Sequence, residues 1–329
     1  MKVHILDDWY DNLRCLPSFS LLDGHEVTVW TDRAPDAAAQ AARLQGAEAV
    51  VLFRDRTTIN AELAEALDGV KLIAMRGQHG HVDTDALSRA GILFCSKMSK
   101  DGPSTSTAEL TFGLIIAALR HLPRQIASAR AGAWQGHAPM GRNVAGKRLG
   151  LYGYGGIAKV VAGYARAFGM DVQVWASEAS RARAAVDGLI VPEDREAFFA
   201  SSDVVSIHKR LLPETRGEVT EADLMAMRPD SVLVNTSRAG LIAPGALLAA
   251  LEARRIGQAA LDVFPAEPVT DPADPLLSHP RVIPTPHVGF VTSEELDKQF
   301  GEIFELINAY AEGAPIEMIN PEVWSPNQS

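Results

Sequence analysis

The sequence predicts an α/β protein built on two doubly wound parallel sheets. Eleven short β-rich runs alternate with helical stretches rich in Ala, Leu and Arg. The runs fall into two series separated by a long helical segment. At 329 residues, 47% hydrophobic and 22% charged, the chain is long enough for two cores rather than one.

The first series occupies residues 3–6, 26–30, 49–53, 71–75 and 92–94, with the Ala-rich stretch at 37–42 reading as helix. The second occupies residues 148–153, 171–175, 203–208, 231–235, 258–263 and 281–285. Most runs are apolar through both faces, which is what a parallel sheet covered by helices on each side requires. Between the series, Ser106 and Glu109 have capping-box spacing and Pro123 forces an end, so a long connecting helix is expected. After His287 the pattern turns helical again and finishes in a polar, Pro-containing tail. That last helix fits either domain.

The formal net charge of -10 argues against a nucleic-acid partner, because phosphate contacts need a clustered basic surface. The start, Met1 to Leu6, has no basic region followed by an apolar stretch, and no run approaches the roughly 18 apolar residues of a membrane span. A cytoplasmic protein with no membrane partner is the expectation. Cys15 and Cys95 stand alone, without metal-ligand or disulfide spacing, so no metal is expected.

Gly153, Gly155 and Ala158 form a GxGxxA pattern after an apolar strand and before an amphipathic helix that Gly169 is placed to cap. The first Gly allows a tight turn, the second lets backbone approach a pyrophosphate, and the third small residue permits close helix-to-strand packing. Amides at the helix start, over Tyr154, Gly155, Gly156 and Ile157, then face the phosphates. This is a Rossmann dinucleotide loop. The acidic residue that binds the ribose 2′-hydroxyl should end the next strand, where Trp175, Ala176 and Ser177 stand instead. Glu178 comes slightly late, and Arg181 and Arg183 follow. A hydroxyl with nearby arginines suits a 2′-phosphate, although the arginines also fit as solvated residues of the next helix. The choice between NAD(H) and NADP(H) stays open, with the balance toward NAD(H).

In an open α/β sheet, ligands bind outside the carboxyl ends of the strands. Those ends carry His208, Asn235 with Arg238, Asp262 with Glu267, and His287. Hydride addition to a ketone leaves charge on oxygen, which calls for a proton donor of near-neutral pKa, and His287 qualifies. A neighbouring carboxylate orients such a ring and favours its charged form, a role that falls to Glu267. A planar guanidinium forks to a substrate carboxylate, which suits Arg238. Seven prolines between Pro265 and Pro286 stiffen the segment that carries Glu267 and leads to His287.

At this point the residues resemble a known family, the D-isomer-specific 2-hydroxyacid dehydrogenases, which include phosphoglycerate dehydrogenases and glyoxylate/hydroxypyruvate reductases. The likeness runs over nearly the whole chain. It is carried by residues 107–111, 149–158, 212–217, 234–240 (ValAsnThrSerArgAlaGly), 261–268 (LeuAspValPheProAlaGluPro) and 285–289 (ThrProHisValGly).

The resemblance implies hydride transfer between NAD(P)H and C2 of a small 2-oxo acid or D-2-hydroxy acid, with Arg238, Glu267 and His287 as the catalytic set. It implies cofactor contacts at Thr236, His208 and Asp262, the last to the nicotinamide carboxamide. It implies a flavodoxin-like substrate domain from 1–102 plus 292–329, interrupted by the Rossmann domain at 103–291. Dimerisation through the cofactor domain and closure over the ligands follow from the same likeness, as does a homodimer. With no long C-terminal extension in the sequence, simple kinetics without feedback are expected. Related corepressors use this fold to sense dinucleotides and bind partners, the alternative function.

There are departures. The third Gly is Ala158, Gly156 stands where Arg is common, and the substrate loop reads ArgGlyGlnHisGlyHis at 76–81. Amides from Gly77, Gln78, His79 and Gly80 still offer a nest for a carboxylate. His79 reads more simply as a polar loop residue.

Overall fold

The computed structural model describes residues 1–98 and 105–325. The chain divides into two compact units, Met1–Gly102 with Thr292–Ser329, and Pro103–Val291, so the second interrupts the first. The boundary expected between 102 and 103 lies outside the described residues. No helix among the described residues is long and apolar enough to cross a membrane.

The interrupted unit holds five parallel strands: β1 (Lys2–Ile5), β2 (Glu26–Val29), β3 (Ala49–Val51), β4 (Leu72–Arg76) and β5 (Leu93–Lys97). Their order is β2-β1-β3-β4-β5, the flavodoxin-like arrangement. Helices α1 (Ala37–Arg43), α2 (Ala61–Ala66) and α3 (Thr84–Arg89) begin on Asp36, Asn60 and Asp83, whose side chains accept from the third residue inward. Between β1 and β2 the chain runs through two 3-10 turns, Leu13–Cys15 and Pro17–Leu22, instead of an α-helix. The late helix (Ser293–Ala311) belongs to this unit and packs its aromatic stripe inward. Phe304 meets Phe19 edge-on at 6.0 Å and Phe300 meets Phe53 at 4.9 Å. The segment after it pairs antiparallel with β5 through Cys95 and Met318, so the sheet edge is covered. Asn320 clamps this pairing by accepting from the Phe94 amide at 2.7 Å and donating to the Ile92 carbonyl at 3.0 Å.

The inserted unit carries β6 (Arg148–Tyr152), β7 (Asp171–Trp175), β8 (Val204–Ile207), β9 (Val232–Asn235), β10 (Gln258–Leu261) and β11 (Val282–Pro284), all parallel, in the order β11-β10-β9-β8-β6-β7. Beyond β7, Ile190 makes a single parallel bridge to Gln173. That bridge is the remnant of a third strand, and with it the order is that of a Rossmann sheet. Alternate residues feed two cores. Val204 packs on the side with Ala108, Ile115 and Val161, and Val205 on the side with Phe198, Leu224 and Leu251.

The connection between the units differs from the sequence expectation in two ways. Its helix spans Thr105–Leu119, so Ser106 lies inside the first turn and is not the cap, which falls outside the described residues. Pro123 does not terminate that helix. His121 turns the chain at φ 50, and Pro123 sits in the first turn of a second helix, Leu122–Arg130, where a missing amide costs nothing.

Candidate functional site: a glycine turn and a tethered histidine loop

Between β6 and β8 the winding direction of the sheet reverses, which leaves a crevice at the carboxyl ends of these strands. The turn after β6 is shaped by close approach. Gly153 has φ 103, and a Cβ there would lie 2.6 Å from the His208 carbonyl oxygen, so no other residue fits. Gly155 differs: a Cβ built on it meets nothing within 4 Å. It caps a 12-residue helix, Gly156–Ala167, whose first intrahelical bond runs from Lys159 to the Gly155 carbonyl. The amides of Gly156, Ile157 and Ala158 therefore have no intrahelical acceptor, and no acidic residue stands in the first turn. Ala158 is fully buried against the sheet. At the far end, Gly169 donates to Arg166 and Met170 to Ala165, the paired bonds of a Schellman cap.

Several residues of the expected cofactor set turn their side chains inward. The Tyr154 hydroxyl donates to Asp187 at 2.7 Å and the residue is buried. Ile157 packs partly against the core. Thr236 is buried with its hydroxyl 2.6 Å from that of Thr111. Ala176 and Ser177 follow β7, with Ser177 exposed. His208 lies at the end of β8, its Nε2 2.9 Å from the Ser206 hydroxyl, and burial pushes its imidazole down to about 4. It is neutral at physiological pH.

His287 stands on the loop after β11 with φ 54. Its Nδ1 lies 2.5 Å from Glu267 Oε2, and Glu267 Oε1 accepts from the Phe264 amide at 2.7 Å. Burial pulls the Glu267 carboxyl upward. The His287 bond and charge, the Phe264 amide and the Arg238 guanidinium together outweigh it, and the carboxyl sits below its ordinary range. Arg238 follows β9, where Asn235 donates to its carbonyl at 3.1 Å and accepts from the Ser237 amide at 3.0 Å. Arg238, Glu267 and His287 thus share one electrostatic neighbourhood.

Sequence reasoning missed what holds this loop. Asp262, wholly buried at the end of β10, accepts from the Thr285 hydroxyl at 2.6 Å, the Val288 amide at 2.9 Å and the Gly289 amide at 2.8 Å. Burial pushes its carboxyl up, while these donors and His287 pull it back. The available signal was Gly289, where a Cβ would come within 3.0 Å of Asp262 Oδ2. Of the acceptor positions on a carboxylate, one on Oδ2 is left over. Asp262 is thus a tether of the loop.

On the other unit, the 76–81 loop leaves β4 at Arg76, which is paired with Glu302 and lies 3.8 Å from Glu295. The Gly77 amide already donates to the Lys97 carbonyl at 3.1 Å, so the expected nest narrows to Gln78, His79 and Gly80. His79 sets its ring edge-on to Phe94 at 5.3 Å, a packing role.

The model of the D-isomer specific 2-hydroxyacid dehydrogenase NAD binding domain matches residues 112–289. The chain belongs to this family. It is 33% identical to hydroxypyruvate reductase of Thermotoga maritima over 78% of this chain and 83% of that protein. It is 32% identical to D-3-phosphoglycerate dehydrogenase of Bacillus subtilis over 81% of this chain and 50% of that protein. The chain thus spans about half the length of the curated phosphoglycerate dehydrogenases it matches. Among solved structures, phosphoglycerate oxidoreductase from Vibrio cholerae superposes with a TM-score of 0.91 at 41% identity, covering 95% of this chain and 100% of that one. The Rossmann unit and the parallel two-sheet architecture are those of the family.

Replacing Asp262 by Asn puts a donor where a loop amide or hydroxyl needs an acceptor. We expect a loss of about 1–3 kcal/mol in stability, read by chemical denaturation, together with faster amide exchange at Val288 and Gly289. Unchanged exchange there would contradict the tethering role.

Proposed function

We propose that this chain is an oxidoreductase that transfers a hydride between a nicotinamide dinucleotide and C2 of a small 2-oxo acid, giving a D-2-hydroxy acid, or runs the reverse reaction. The observation that carries the proposal is the short His287–Glu267 contact beside Arg238, on the unit that also holds the glycine turn. The fit of that turn to a dinucleotide rests on the open face of Gly155, the unengaged amides of residues 156–158 and the lack of acidic residues in the helix's first turn. Family membership agrees with it.

When bound, the reduced nicotinamide supplies the hydride. The chain's residues do the rest. His287 protonates the carbonyl oxygen as negative charge develops there, and in the reverse direction takes the hydroxyl proton. Glu267 fixes the ring through Nδ1, which leaves Nε2 to face the substrate. Arg238 binds the substrate carboxylate by a forked pair of bonds. His208, held neutral, takes no part in proton transfer.

The test is oxidation of NADH and NADPH at 340 nm against glyoxylate, hydroxypyruvate, pyruvate, phenylpyruvate and 2-oxoisocaproate. Turnover with at least one acid is expected. Silence across the panel while nucleotide still binds would favour a dinucleotide-sensing role.

The partner reading is a homodimer through the inserted unit. The helix Leu122–Arg130 and the loop after it expose Ile126 at 49%, Trp134 at 75% and Met140 at 91%. This loop is tied down, since Ser128 donates to the Trp134 carbonyl at 2.9 Å and Gln125 to the Pro139 carbonyl at 2.8 Å. Ordered, exposed apolar residues of this size fit a second copy of the same surface. Light scattering should give a dimer that Trp134→Ser with Met140→Ser converts to monomer; a monomeric wild type would overturn this reading.

A further inference from the structure

We propose that the loop closing β7 is built for a 2′-phosphate, so that the chain binds NADPH more tightly than NADH. This rests on the dinucleotide reading above and names which nucleotide the site prefers. In a Rossmann sheet the end of the second strand meets the adenine ribose, and the side chains there decide between a bare 2′-hydroxyl and its phosphate. A carboxylate at that place accepts from the hydroxyl and repels the phosphate. Here the strand's last residue, Trp175, is followed by Ala176 and Ser177.

The residues that follow gather donors. Ser177 and Ser180 bring their hydroxyls within 3.2 Å of each other, and Arg183 Nη2 stands 2.6 Å from the Ser180 hydroxyl. These three side chains come together at the start of the helix Glu178–Val186. Arg181 is held by stacking, its guanidinium 4.4 Å over the Trp175 ring on the strand's last residue, and its buried Nε has no hydrogen-bond partner among the described residues. A stacked or hydrogen-bonded guanidinium has less freedom to lose when it binds an anion. Two cations and two hydroxyls thus stand where a hydroxyl-reading site would have one acid.

The acidic groups nearby do not reverse this balance. Asp187, which closes the same helix, is held low by the Tyr154 hydroxyl and by Lys159 at 3.1 Å, so its charge is matched. Glu178 is the one carboxylate between 176 and 183, against two arginines in the same stretch.

Binding of NADPH and NADH to the full chain, measured by calorimetry, tests the proposal without reference to turnover. The expected result is a lower Kd for NADPH, more sensitive to salt than that of NADH. Arg183→Ala should weaken NADPH about tenfold, the value of one charge-assisted bond, with a much smaller effect on NADH. Ser177→Asp should reverse the preference. Ser177, before the helix, and Arg183, within it, are both exposed, so the variants are expected to fold. Tighter binding of NADH by the wild type, or an NADPH to NADH ratio unmoved by either variant, would overturn the proposal. Failure to bind either nucleotide would instead bring down the dinucleotide reading on which it rests.

Discussion

The carboxylate of Asp262 sets the geometry on which the site depends. It is buried at the end of one strand and accepts three bonds from a loop that leaves the next, so β10 and the 285–289 segment hold one fixed relation. Glu267 follows Asp262 by a few residues, and His287 sits between Thr285 and Val288, two of the tethered positions. One buried acid therefore places both ends of the His287–Glu267 contact. Such a burial is costly for a charge unless donors surround it, and one of the donors here, the Gly289 amide, is buried and would otherwise be unpaired. Removing the acid would leave its donors without their acceptor.

The remaining features follow from parallel strands that reverse their winding direction at β6 and β8. Every strand of the inserted unit delivers its carboxyl end to the same edge, so residues distant in sequence meet there. Gly153 lets the first turn press against the carbonyl of His208, while Gly155 leaves open space beside free helix amides. The two strand-end histidines have been given opposite environments. Burial keeps His208 neutral beside Ser206, whereas His287 has a carboxylate against its ring and a positive φ that lifts it from regular structure.

The strands were legible because a parallel sheet buried on both faces leaves unbroken apolar runs. The edge bridge at Ile190 was not: the stretch between Gly188 and Pro192 is too short to carry a period. Strand-end reasoning selected Arg238, Glu267 and His287 because topology alone directs those positions to one edge. Side-chain partners were out of reach for the same reason that strands are easy. Periodicity reports which face a residue takes, and says nothing of whether Tyr154 meets Asp187, Thr236 meets Thr111, or the Gly77 amide meets Lys97. These pairings join segments up to 125 residues apart and arise only when the chain has folded. The Ser106 spacing misled because a Ser-Thr-rich start offers several residues able to cap, and hydrogen bonding to backbone does not distinguish them in sequence.

The central claim, that His287 moves the proton while a separate surface holds the nucleotide, is tested most directly by His287→Ala. Nucleotide affinity and turnover would be measured on the same preparation. The account predicts turnover reduced to background with nucleotide Kd within a few-fold of wild type, since the phosphate-facing amides lie on a different loop. Retained turnover in the variant would contradict it.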